Sequence, residues 1–386
     1  MPLSSTAEFQ IQGLESARGG CWPTDAQCGL LKASISANVD TVDLLDDWLK
    51  HLKSPRLDQA SHRLLPLLHH QLASAAPDHP ELYRFAPVQR FYWLRQRLLN
   101  EEATTLLKAL AKRSIPTLIL KGLAVGQVAY PSPYLRPMDD FDILVPRKDA
   151  ERSLKIFEDN GWVPLYPKQT DPEEMQRHHS LNFRNDREMQ ADLHWHLMED
   201  NLDESLDASI WENATPIDFE GIPTLIPCRK DLALHFITHG IRWDRVAPLS
   251  WIADVLLLFP EAASVEEEEI FLHQATKRNA LIYVQAGLQY LATHMRNPFP
   301  RVLKSLDACE PDDSDILRFL QRTRSEDQST LSEITTLLWY QLRKVASQTS
   351  SSMPSGLRSF LDDRWHTETW SEVAVTFVDK SLKRLR

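Results

Sequence analysis

The chain has 386 residues, which is enough for two or three compact units rather than one small domain. Apolar residues make up 42% of it, so wholesale disorder is excluded. A formal charge of −11 excludes a broad nucleic-acid-binding surface, which needs clustered Lys and Arg, but leaves room for a local basic site.

The cysteines are Cys21, Cys28, Cys228 and Cys309. None forms a C-x-x-C pair, which argues against a zinc ribbon or a dithiol redox site and for reduced thiols. Met1 to Gly20 lacks a basic stretch followed by an apolar core, and no apolar run is long enough to span a bilayer. The expectation is a soluble, cytoplasmic protein.

Residues 1–22 are polar, contain Gly19-Gly20, and read as a loose start. Val42 to Leu52 and Leu57 to Leu72 have helical apolar spacing, and Pro77, Pro80 and Pro87 mark the next break. Gln89 to Lys112 reads as a long amphipathic helix. At Ile115-Pro116 the pattern changes. Thr117 to Leu120 is a short apolar strand, and Gly122 to Tyr130 a short helix ended by Pro131 and Pro133. Phe141 to Val145 is a strand, Lys148 to Asn160 a helix closed by Gly161, and Trp162 to Tyr166 a strand. Ser180 to Phe183 and Met189 to Trp195 flank the polar turn Asn185-Asp186-Arg187 and read as a hairpin.

From Arg229 onward nearly everything reads as helix: Asp231 to His239, Leu249 to Phe259, Val265 to Lys277, Ala280 to His294, Asp315 to Arg322, Leu331 to Val345 and Val373 to Leu385. Glu266 to Glu269 fits a solvated first helical turn, and Ser347 to Ser355 a linker. The expected fold is α+β. A small mixed-sheet core at 114–228 lies between a helical region at 23–113 and an all-helical domain at 229–386.

Three pieces of this pattern carry chemistry. Leu120-Lys121-Gly122 is a strand end followed by a glycine turn. Arg136 precedes Asp140 and Asp142, which alternate at the start of an apolar strand and therefore project from one face. Asp192-Leu193-His194-Trp195 offers a third carboxylate on a second strand. Asp139 has the wrong parity for that face and reads as an exposed or turn-stabilising acid. Carboxylates gathered this way form a hard oxygen cage, which suits Mg²⁺ bound to nucleotide phosphates. Gly122 suits a backbone that approaches phosphates closely, and a helix starting there aims N–H groups at them. Lys121 and Arg136 can add positive charge, although Arg136 can equally pair with the neighbouring aspartates. Asp192, His194 and His196 share one face, which is also a zinc pattern, but no clear fourth ligand accompanies them. His178-His179 reads as a structural pair in the hairpin, and Trp251 with Asp254 as helix packing. Arg229 and His235 have a spacing found in some helical ribonucleases, too short to be specific.

The ordered set of glycine turn, R-x-x-x-D-x-D strand and D-L-H-W strand resembles the polymerase-β-like nucleotidyltransferases. Within them it is most similar to a large, mostly uncharacterised bacterial family, over roughly residues 20 to 260. The resemblance implies Mg²⁺-dependent transfer of NMP from an NTP, with ATP expected and Mn²⁺ as an alternative ion, and release of pyrophosphate. It implies Asp140 and Asp142 as ligands of two metal ions, Asp142 bridging, with Asp192 serving the ion nearer the acceptor. Lys121, Gly122, Arg136 and His194 are the expected nucleotide-side residues. The family's association with cell-surface polysaccharide and peptide natural-product pathways implies a small-molecule, sugar or peptide acceptor. Leu123 stands where the superfamily's turn has Ser or Gly. That departure favours a second reading, a non-catalytic nucleotide-binding or scaffold protein of a biosynthetic complex.

Overall fold

The structure, a computed structural model, describes residues 10–11, 19–36, 40–52, 56–199, 202–308, 319 and 322–323. Helices come first. Helix α1 (Asp25–Ile35) opens on a capping box in which Thr24 and Gln27 satisfy each other's backbone N–H. Helix α2 (Asp40–His51) follows. The single helix expected from Leu57 divides into a short turn, Gln59–His62, and α3 (Leu65–Ala75). Pro66 explains the restart, because a first-turn proline sacrifices no intrahelical hydrogen bond.

Helix α4 (Glu81–Lys112) runs for 32 residues and passes straight through Pro87, where a break was expected. Pro87 lies near the solvent-facing start of the helix, beside the highly exposed Tyr83. The Tyr83 carbonyl that loses its partner there can turn to water. Phe85, Tyr92, Leu99 and Leu106 recur every seventh residue and bury one stripe of α4.

The sheet has seven strands: β1 (Leu118–Ile119), β2 (Asp140–Leu144), β3 (Val163–Pro164), β4 (Ser180–Arg184), β5 (Gln190–His194), β6 (Thr215–Phe219) and β7 (Ile222–Ile226). Their spatial order is β3-β4-β5-β2-β1-β7-β6. The pairs β5/β2 and β1/β7 are parallel and the remaining neighbours antiparallel, so the sheet is mixed as expected. The β6–β7 hairpin, however, was not legible. Its two-residue turn uses Glu220 and Gly221, both at positive φ, instead of a telltale Asn-Gly, and β6 carries Pro216 and a mostly exposed face. Helix α5 (Lys121–Val128) follows β1, α6 (Ala150–Asp159) follows β2, and α7 (Glu204–Glu212) precedes β6.

Alternation along the strands assigns each face. Ile119, Phe141, Ile143, Ala191 and Leu193 enter a continuous core shared with the helices on either side of the sheet in sequence. Leu118, Leu120 and Leu144 point the other way and join a smaller cluster with Leu197 and Ile210 of α7. Asp140, Asp142, Asp192 and His194 have the parity of this second, thinly covered face.

Helices α8 (Arg229–Gly240), α9 (Ser250–Leu258), α10 (Val265–Lys277), α11 (Leu281–His294) and α12 (Pro300–Leu306) complete the described chain. The acidic run at the start of α10 is not wholly solvated. Glu267 forms a capping box with Ser264, whereas Glu268 is buried and accepts from the backbone N–H groups of Arg301 and Val302 at the start of α12. The helices expected at Leu331 to Val345 and Val373 to Leu385, the linker between them, and most of the one at Asp315 to Arg322 lie outside the described residues. Among the described residues, no helix is long and apolar enough to cross a membrane.

Candidate active site

The parallel pairing of β2 with β5 sets the site. Asp142 is the register partner of Asp192, and Leu144 that of His194. On the antiparallel side of β5, Asn182 of β4 is the partner of Asp192 and donates its side-chain amide to the Asp192 Oδ1. His194 Nε2 lies 3.0 Å from Asp142 Oδ1 and donates to it. Its other nitrogen, Nδ1, is buried and meets no partner among the described residues. Ligand atoms of Asp142, Asp192 and His194 fall within 4.8 Å of one another, among the described residues the group of acids, histidines and cysteines able to hold a cation.

Lys121 brings the positive charge. Its Nζ is 2.5 Å from Asp142 Oδ1 and 3.9 Å from an oxygen of Asp192. Lys121 itself has φ of +43°, a backbone state that costs a side-chain-bearing residue energy and is kept where surroundings over-determine it. A backbone bond from Leu120 N–H to the Asp142 carbonyl ties the turn to β2. Helix α5 then begins at once with no side chain capping its N-terminus. The space a Cβ on Gly122 would take is filled by Met138 Sδ, so the missing side chain admits Met138.

Charge in this buried group is strongly coupled. Burial raises Asp192, and Asp142 beside it adds to this, to a pKa of about 8. Burial also works against ionised Asp142, but Lys121 and His194 outweigh it and hold the carboxyl below the usual range. Burial likewise disfavours the Lys121 ammonium, yet Asp142 and Asp192 keep its pKa raised. His194 is pushed down by burial, against the pull of Asp142, and is neutral.

The other expected residues are distributed around this centre. Asp140 sits one pleat away on the same face, half-buried, and outside the close group. Its pKa is raised by burial and by Asp142, against Lys121 and Arg63. Asp139 faces the opposite direction, as its parity required, and pairs with Arg63 and Arg95. Arg136 is not paired with these aspartates. Its Nε and Nη2 each lie 2.8 Å from an oxygen of Asp254 on α9, and the Tyr130 hydroxyl donates to the same carboxylate. Asp254 is thus the partner that holds Arg136, more than a packing residue. His196, the third member of the possible zinc face, instead lies 2.8 Å from Asp207 of α7. Arg229 pairs with Glu267, while His235 lines the cavity described next.

A cavity of about 210 Å³ opens beside Asp192. One wall is the sheet, with Ser180, Asn182 and Asp192; the other is helical, with His235 and Thr238 of α8 and Tyr283 of α11. His179, read from sequence as a structural histidine, lines it too, its ring centroid 5.3 Å from that of His194. Asn182 went unnoticed in the sequence, because pairing symmetrically about Asn185–Arg187 puts Ser180 opposite Asp192, whereas the loop closes from Asn185 to Met189 and centres the register on Arg187.

No curated protein matches the chain. Among solved structures it is similar to the antibiotic-resistance factor ANT(2″)-Ia, at 15% identity and a TM-score of 0.33, covering 50% of this chain and 97% of that one. It is also similar to an antigenic nucleotidyltransferase-like protein from Paracoccidioides brasiliensis, at 13% identity and a TM-score of 0.33, covering 52% and 92%. The model of the family described as uncharacterised nucleotidyltransferase matches residues 59–296, more than half of the chain, and the protein belongs to that family of transferases.

Proposed function

We propose that the protein transfers NMP from an NTP, with ATP as the donor, to the hydroxyl of an acceptor held in the cavity beside Asp192, and that it does so in the cytoplasm. The observation that carries this reading is the register of Asp142 with Asp192, with His194 and Lys121 closing around them. The donor set fits Mg²⁺. Carboxylate oxygens predominate, and they lie with His194 within 4.8 Å of one another. Asp142 and Asp192 would hold the ion, with Asp140 contributing from one pleat away and Mn²⁺ as a substitute. Such an ion, when bound, would supply charge neutralisation at the transferring phosphoryl group and orient it.

The chain's own residues do the rest. Lys121 passes from Asp142 to the phosphates as they arrive, and the uncapped N-terminus of α5 offers backbone N–H donors to them. His194 orients the Asp142 carboxylate by its Nε2 hydrogen bond. Asn182 fixes Asp192. The acceptor oxygen bonds to the α-phosphorus as the α–β bridging P–O bond breaks. The electron pair leaves with pyrophosphate, and the hydroxyl proton passes to the Asp192 carboxylate. Arg136 acts indirectly in this scheme, pinning the segment before β2 through Asp254.

The test is a screen of α-³²P-labelled NTPs with Mg²⁺ or Mn²⁺ against pooled small-molecule, sugar and peptide acceptors. Label transfer with stoichiometric pyrophosphate supports the reading. Tight Mg·ATP binding without transfer to any pool, or to the protein itself, would count against it.

A further inference from the structure

The residue just before the D-x-D strand is gripped from outside the sheet. Asp139 Oδ1 lies 3.2 Å from Arg95 Nη2, and Asp139 Oδ2 accepts from Gln59 Nε2 at 3.3 Å and from Arg63. Gln59 and Arg63 are four apart at the short turn before α3, which puts them on one side of it. Arg95 belongs to α4. The two elements are also tied to each other, because the buried His62 ring lies 3.1 Å through Nδ1 from the Tyr92 hydroxyl of α4. Tyr92 and Arg95 are three apart and share a side of that helix. Pairs as exposed as those of Asp139 add little to stability one at a time. Charged donors converging on both oxygens nevertheless leave the carboxylate little freedom.

Asp140 needs such a hold, because the ladder stops short of it on one side. Toward β1, Leu144 pairs with Leu118 and Ile143 with Ile119, and the last bond runs from the Leu120 N–H to the Asp142 carbonyl. Asp140 has no strand partner on that side among the described residues. On the other side its partner is Gln190, the first residue of β5, so Asp140 opens the β2–β5 ladder. Strand ends are where local opening is easiest. The residues leading in are pinned one after another, Arg136 by Asp254 and Met138 in the space beside Gly122. Asp139 is the last of these pins. Alternation turns its side chain toward the helices while that of Asp140 takes the face of Asp142. Arg63 also opposes the rise that burial and Asp142 impose on the Asp140 carboxyl, so its charge is felt beyond Asp139.

Resting on the reading of Asp140 as a metal-side carboxylate, we propose that Asp139 is a positioning residue. Clamped to Gln59, Arg63 and Arg95, it fixes the backbone at the start of β2 and so aims the Asp140 carboxylate at the ion held with Asp142. Asp139 acts through Asp140 and touches neither the ion nor the nucleotide. The helices before the sheet thereby take part in assembling the metal site.

The experiment is a Mn²⁺ titration of the full chain read by electron paramagnetic resonance, with a non-hydrolysable ATP analogue present. It compares the wild type with Asp139→Ala, Asp140→Asn and the double variant, and thermal melts report that each is folded. Losing the support of a metal ligand typically weakens metal binding by about 10–100-fold, and we expect roughly tenfold in Asp139→Ala. Asp139→Asn, which keeps one acceptor oxygen for the arginines, should fall between it and the wild type. The double variant should bind no more weakly than Asp140→Asn alone, since the clamp has nothing left to aim. If Asp139→Ala does not fold, Arg95→Gln carries the same test, with a smaller loss that likewise vanishes in the Asp140→Asn background. Unchanged Mn²⁺ affinity in a folded clamp variant, or losses that add in the double variant, overturns the proposal. Wild-type Mn²⁺ affinity in Asp140→Asn would instead remove the metal-side reading beneath it, so the two failures are distinguishable.

Discussion

Asp142 and Asp192 are register partners on adjacent parallel strands, with Lys121 Nζ reaching both. The pairing places two carboxylates on the thinly covered face of the sheet. Burial raises the Asp192 pKa and the neighbouring Asp142 adds to it, with consequences for stability, metal affinity and pH.

The pH dependence follows from Asp192. Its folded pKa is raised from 3.8 to about 8, so between those values the folded protein binds more protons than the unfolded chain. Stability from this group is fully present below the unfolded value and is lost as pH rises through about 8. Asp142 has the opposite sign, lowered in the fold, and its contribution is lost only as pH falls below the usual carboxylate range. In EDTA, the melting temperature should therefore decline from about pH 5 to about pH 9, and Mg²⁺ should raise it more at the alkaline end. Asp192→Asn should flatten the decline. An equal Mg²⁺ shift at both ends would show that the carboxylates do not take up the ion.

Lys121 is expected to serve two states. Without metal it neutralises Asp142, and Lys121→Met should destabilise the metal-free protein by roughly 3–5 kcal/mol, the cost of stranding a buried charge. With nucleotide it is a phosphate ligand, and Mg·ATP affinity should fall by about 1.5–3 kcal/mol. Denaturant melts with and without Mg²⁺ read the first effect and calorimetry the second. Lost stability with unchanged nucleotide affinity would make Lys121 purely structural.

Asp254→Asn should cost about 3–5 kcal/mol, because it leaves the Arg136 guanidinium buried with its bidentate partner impaired. The loss should appear in urea melts and bring a lower kcat with little change in KM for the nucleotide, since Arg136 steadies the segment before β2 and does not touch the donor. A large rise in KM for ATP with unaltered stability would instead put Arg136 on the phosphates.

Local patterns carried most of the sheet. The apolar run after Asp142 and the polar turn at Asn185 were enough to place β2, β4 and β5, and side-chain parity put Asp140, Asp142, Asp192 and His194 on one face while turning Asp139 away. What resisted was set by long-range partners. Arg136 and Asp254 are 118 residues apart, and no local rule chooses that partner over the aspartates next door. The missing Cβ of Gly122 seats Met138, a contact that no local pattern announces. The β6–β7 hairpin hid behind Pro216 and a Glu-Gly turn, and His179 entered the cavity only because the sheet and α8 close over it.

The central claim is that the Asp142–Asp192 pair carries nucleotidyl transfer. Its most direct test is pyrophosphate release coupled to label transfer from α-³²P ATP, comparing wild type with Asp142→Asn and Asp192→Asn at saturating Mg²⁺. Removing one carboxylate from a site where preorganised charge stabilises the transition state costs on the order of 10²–10³ in kcat or more. The account predicts such a loss for both variants, with each still folded by circular dichroism. Turnover at the wild-type rate in either folded variant would contradict it.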